Sequence, residues 1–171
     1  MHKEEQPLSV YEYFFQGGQN NTYVFETNTS ILYGIKFKPS DYVIPNKPYS
    51  NSIYEMVIEV LDIPTGKKLN TDKIIPPTVA TIIKDFFTNI KQPIVIYICD
   101  SSDDKQLVRL RKFNQWFEEF ADSKLTKTEF IFVDKNNIRF PISLFLEISH
   151  PDVNEILALF ILEAKRFQNE K

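Results

Sequence analysis

The sequence holds one cysteine, two histidines, four glycines and one tryptophan in 171 residues. One cysteine excludes an intramolecular disulfide framework, and with two histidines it leaves too few ligands for a Cys/His zinc site. Four glycines exclude a collagen repeat and argue against a Gly-rich phosphate loop. No apolar run reaches the ~20 residues that cross a bilayer, and the charged stretch Met1 to Ser9 lacks the apolar region of a secretory signal. A dominant charge is missing too. Twenty Lys and Arg stand against 23 Asp and Glu, a net charge of -3, which argues against bulk attraction to nucleic acid or anionic membrane. The expected compartment is the cytoplasm, with neither nucleic acid nor membrane as the expected partner.

What the chain does have is aromatic and aliphatic material for a core, with 15 Phe and 8 Tyr. Residues 1–21 read as a partly flexible N-terminal segment with a short aromatic element, Tyr11 to Phe15. Residues 22–171 read as one domain. Tyr23 to Thr27, and Ile31, Tyr33, Ile35 and Phe37 at period two, predict a hairpin whose wet side carries Lys36 and Lys38. After a Pro-rich loop, Ile53 to Ile63 predicts a strand with Tyr54, Met56, Ile58 and Val60 on one face. Val79, Ile82, Ile83, Phe86, Phe87 and Ile90 then keep helical spacing behind Pro76 and Pro77. Ile94 to Cys99 is continuous and apolar, as in a strand buried on both faces.

A second helix is expected from Asp104 to Ala121, with Leu107, Leu110, Asn114, Phe117 and Ala121 inward, widened by Phe113 and Phe120. Phe130 to Val133 and Ile138 to Ile148 are the last strands, and Pro141 argues that the latter is at an edge or bulged. Val153 to Phe167 closes the chain as a third helix. The expected class is mixed α/β, or α+β: a single mixed sheet in the order βββαβαββα with helices packed on it, including a right-handed parallel crossover around residues 94–133.

Chemistry concentrates at 99–117. Asp100, Ser101, Ser102, Asp103 and Asp104 follow a buried strand, on the edge where open sheets bind ligands. If residues 94–99 and 130–133 are adjacent parallel strands, Asp100 and Asp134 share an edge, and with Asp103 or Asp104 nearby could hold Mg²⁺ for phosphoryl chemistry. The plainer reading is that Ser102 and Asp103 cap a helix. Lys105, Arg109, Lys112 and Trp116 recur on one helix face with Arg111 beside them: a phosphate- or base-stacking stripe, a protein contact, or a solvated face. His150 before Pro151 reads as a cap or surface residue before a catalytic base, and an apolar setting makes Cys99 a poor nucleophile for a Cys99–His150 pair. No nucleophile-elbow, zincin, Walker or dinucleotide motif is present.

Tyr23-x-Phe25-x-Thr27, Tyr33-x-Ile35-x-Phe37 and Asp72-x-x-Ile75 before Thr81-Ile82-Ile83-x-x-Phe86-Phe87 form one set of shared patterns. Ile98-Cys99-Asp100-Ser101-Ser102-Asp103 with Lys105-Gln106, Arg109, Arg111, Phe113 and Trp116-Phe117 forms the stronger one. Together they resemble a small uncharacterised bacterial family known mainly from Bacteroidetes, from about residue 20 to the last strand. The resemblance implies a bacterial single-domain protein and no particular reaction.

Three readings follow. The chain is a binding or protein-interaction module using Ser101, Ser102, Lys105, Arg109, Arg111, Lys112 and Trp116, with a protein partner and no cofactor. Alternatively it is a metal-assisted phosphodiesterase or nuclease using Asp100, Asp103 and Asp134, or a structural homo-oligomer, for example a homodimer. The first is favoured, because no complete catalytic set appears.

Overall fold

Seven strands and three helices follow from the hydrophobic periods of the chain, and the computed structural model describes them over residues 9–99 and 104–169. Strands β1 (Tyr13–Gly17), β2 (Thr22–Glu26), β3 (Leu32–Pro39) and β4 (Ile53–Asp62) form an antiparallel meander. Helix α1 (Ile75–Asn89) crosses over to β5 (Ile94–Ile98), which lies parallel to β4. Helix α2 (Gln106–Phe120) leads to the hairpin β6 (Leu125–Val133) and β7 (Arg139–Glu147), and α3 (Val153–Asn169) follows. One mixed sheet results, in the order β1-β2-β3-β4-β5-β7-β6. The mixed single-sheet architecture expected from the sequence is the one observed.

Two cores lie on the two faces of this sheet. On one, α1 and α2 cover Tyr23, Phe25, Ile35, Phe37, Met56, Val95 and Phe145, and α1 buries Val79, Ile82, Ile83, Phe86 and Phe87. The rings of Phe37 and Phe86 stack there at 3.9 Å. On the other, Ile156 and Phe160 of α3, with Ile44 and Tyr49, cover Ile94, Ile96, Leu144 and Leu146. The face of β3 and β4 away from α1 is wet, and there Lys36 pairs with Glu59 and Lys38 with Glu55.

The structure changes four readings. The Tyr11–Phe15 element is a full edge strand: β1 pairs with β2, so the strand run opens with four members. Residues 94–98 and 125–133 run in the same direction but are not adjacent, because β7 lies between them. That also places Pro141 in an interior strand. A strand residue's N–H and C=O point to the same side, and the Pro141 carbonyl accepts Cys99 N–H at 3.2 Å. The donor that proline lacks therefore faces the point where β5 ends, at Ile98 opposite Ile142, and the ladder loses little. Finally, α2 starts at Gln106 behind Lys105, with no side-chain cap.

Candidate functional site

Helix α2 positions the residues that the sequence singled out. Its inward line is Gln106, Leu110, Phe113 and Phe117, at i, i+4, i+7 and i+11. Leu107, expected inside, is 37% exposed and Val108 is 48% exposed. Leu110, Phe113 and Phe117 stay inward, so the buried face is turned by less than one residue's step of ~100°, enough for Gln106 to replace Leu107: its Nε2 donates to the Arg139 carbonyl at 3.0 Å and ties the helix start to β7. Asn114, also expected inside, is half-buried on the flank towards β6. There it donates to Glu129 at 2.8 Å and accepts from Lys127 at 2.8 Å, while the Lys127 ammonium lies 5.8 Å from the Phe117 ring centre.

The basic stripe divides. Arg109 is half-buried, and its charge bears on Tyr97 and Cys99 below the helix start. Lys105 is exposed at the helix boundary and Arg111 on the outer face, beside Val108. Lys112 and Trp116 go elsewhere. They line a cleft of about 760 Å³ between α2 and the Leu69–Pro76 segment. Tyr33, Ile58 and Trp116 give it apolar walls, and Gln115, Glu119 and Phe120 complete the α2 side. The opposite side is Asn70, Thr71 and Lys73. The parallel pair explains its position: β5 stops at Ile98 whereas β4 continues to Asp62, so the inner face of the β4 overhang is left for Trp116 and the loop to cover. Ligands of open sheets bind outside the carboxyl ends of parallel strands, which is where this cleft lies.

The segment opposite α2 is held from below. Asp72 accepts the Tyr11 hydroxyl at 2.6 Å and the Ile74 N–H at 2.8 Å, fixing the loop to the N-terminal stretch and to the start of α1. A second hollow of about 320 Å³, lined by Thr27, Asn28 and Thr29, flanks the same segment on its other side. Sequence reasoning missed this wall, because Leu69 to Lys73 is polar loop with no periodicity.

The carboxylate reading fares differently. Asp100, Ser101, Ser102 and Asp103 lie outside the described residues. Asp134 is engaged in its own turn: one oxygen accepts the Asn136 and Ile138 N–H groups at 2.8 and 2.9 Å. With β7 interposed, β5 and β6 stand two strand spacings apart, roughly 10 Å, and β6 runs on three residues past the level of Ile98. Among the described residues no group of three or more His, Cys, Asp or Glu is placed to hold a metal.

Cys99 is buried at 1% exposure, and burial pushes its thiol up to about 11 despite the Tyr97 hydroxyl and Arg109 beside it. His150 is buried at the start of α3, where its Nδ1 accepts the Asp152 N–H at 3.1 Å and its ring meets Tyr49 edge-on. The β5–β7 register sets these two at opposite ends of β5, on the order of 15 Å apart, so they form no dyad.

No curated protein and no solved structure matches the chain. A family model does, described as a family of unknown function (DUF6169), over residues 71–161. That span runs from the cleft wall through α1, β5, α2 and the β6–β7 hairpin into α3, and leaves the first four strands outside. It is more than half of the sequence, and the chain therefore belongs to the DUF6169 family.

Proposed function

We propose that this chain is a protein-interaction module that seats a segment of a partner protein in the cleft between α2 and Leu69–Pro76. One observation carries the reading. Trp116 is half-buried at the cleft wall beside Tyr33 and Ile58, while Lys112, Gln115 and Glu119 around it are exposed and make no side-chain hydrogen bond or ion pair among the described residues. An apolar anchor framed by uncommitted polar groups is the usual anatomy of an interaction hot spot. Leu107, Val108 and Arg111 extend the same surface along the outer face of α2.

Charge favours a protein segment as the occupant. The rim sets Lys73 and Lys112 against Glu119 and the partly exposed Asp72, with no excess of positive charge for a phosphate backbone. Peptide side chains of either sign can be matched there, and an aliphatic or aromatic residue fits on Trp116.

Trp116 is the sole tryptophan and lines the cleft, so its emission reports on this part of the molecule. A displayed peptide library selected on the protein should yield binders that shift Trp116 emission. They should lose at least about tenfold in affinity, ~1.4 kcal/mol, in a Lys112→Glu/Gln115→Glu variant, whose changes are both at exposed positions. Binders that leave the emission unchanged and hold the variant equally well would refute the cleft as the site, and a library that yields none would count against the module.

A further inference from the structure

The sheet ends in two edges, and the chain treats them differently. β6, at one end, carries Lys127 and Glu129 in its first half, ahead of the apolar run at residues 130–133, and charge on an edge discourages pairing with another sheet. β1, at the other end, reads Tyr13-Phe14-Phe15-Gln16-Gly17 and has no charge and no proline. Phe14 is 61% exposed and Phe15 58%, one on each face of the sheet. The edge is also held firmly. Tyr13 donates its hydroxyl to Asp85 of α1, and the Phe15 ring lies 4.8 Å from that of Tyr23. Among the described residues nothing pairs with the outer side of β1.

We infer that β1 is a homodimer interface at which two copies pair antiparallel, edge to edge, about a two-fold axis through Phe14. Two-fold pairing within a continuous sheet keeps the faces in common, so a residue can meet only a residue of matching parity. Centred on Phe14, the register sets Phe14 against Phe14 of the second copy and Phe15 against Tyr13, all aromatic, as cross-strand pairs prefer. The paired core is then Tyr13 to Phe15, which carries no charge, and the bulge at Gln16 lies outside it. This interface is independent of the α2 cleft, which lies on the far side of β2 and β3.

Mass measured by light scattering on the intact chain tests the inference directly. Wild type should be dimeric at micromolar concentration, and Phe14→Lys monomeric with an unchanged far-ultraviolet circular dichroism spectrum. Phe14→Cys should form a covalent dimer on mild oxidation, because the native thiol Cys99 is buried and does not compete. Leu162→Cys, at an exposed site on α3, should not. A monomeric wild type across the concentration range overturns the interface whatever the variants do. So does a dimer that survives in folded Phe14→Lys, or oxidation that links Leu162→Cys as readily as Phe14→Cys.

Discussion

At the residue scale the fold has withdrawn two reactive-looking groups, Cys99 and His150. Cys99 follows β5 at its carboxyl end, where a nucleophile would be placed for use, yet its sulfur is covered and the Pro141 carbonyl holds its backbone. Thiolate is the reactive form, and a thiol held near 11 supplies about two orders of magnitude less of it at pH 8 than an ordinary cysteine. Alkylation of the native protein at pH 8 should therefore run at least about a hundredfold slower than in urea, followed by mass spectrometry. Equal rates would mean that Cys99 is presented to solvent and activated. His150 is withdrawn in the same sense, since it is buried and its Nδ1 accepts the Asp152 N–H just before α3. Among the described residues Lys112, Gln115 and Glu119 stay exposed around Trp116, and the proposal of a binding cleft rests on these groups.

At the element scale α2 is held by three different contacts: an amide to the Arg139 carbonyl at its start, Phe113 and Phe117 against Phe145 in its middle, and the Asn114–Lys127–Glu129 set on its flank. Burial works to raise the Glu129 carboxyl, but the Lys127 and Asn114 hydrogen bonds outweigh it and hold the group below its ordinary range. A depressed carboxyl stabilises the fold above its unfolded value of about 4.3, and that stability is lost as pH falls through the folded value. Glu129→Gln should therefore cost no more than about 1 kcal/mol at pH 7 and flatten the fall in urea midpoint between pH 5 and 3. Superimposable acid profiles for variant and wild type would show that the clamp carries no weight. The same helix shows what a sequence can tell. The α1 stripe is legible, because Val79 to Phe87 is apolar where it is buried. The rotation of α2 is not, since hydrophobicity favours Leu107 inside and only the Arg139 carbonyl explains Gln106 there instead. Strand order is hidden for a related reason. Nothing local states that the β6–β7 hairpin folds back to set β7 against β5. The cleft was half legible: Lys112 and Trp116 share a helix face, but the facing wall lies some forty residues earlier, in loop without a pattern.

At the scale of the whole molecule the joints are tyrosines. Tyr11 and Tyr13 tie the N-terminal strand to Asp72 and Asp85, Tyr49 ties the loop before β4 to Glu155 of α3, and Tyr97 lies beneath α2. Tyr23, Tyr33 and Tyr54 fill the sheet face between them. Burial raises all seven phenols, reinforced by the neighbouring carboxylates at Tyr11, Tyr13 and Tyr49, the last of which reaches about 12. The sign of the consequence is fixed. A folded state that holds protons more tightly than the unfolded chain keeps its full stability below the unfolded value of about 10 and loses it as pH rises through the folded values. These groups sit at the junctions of both cores and of the edge strand, so ionising any of them works against a sheet that runs unbroken from β1 to β6. Alkaline unfolding should accordingly be one transition. The urea midpoint should fall steeply above pH 10, and the bulk of the phenolate absorbance near 295 nm should appear together with the loss of circular dichroism. If most of that absorbance develops while the dichroism stays native, the tyrosines are not the joints. If β1–β4 melt apart from the rest, the sheet is not one cooperative unit, and the family-matched part, residues 71–161, stands as a separate folding element.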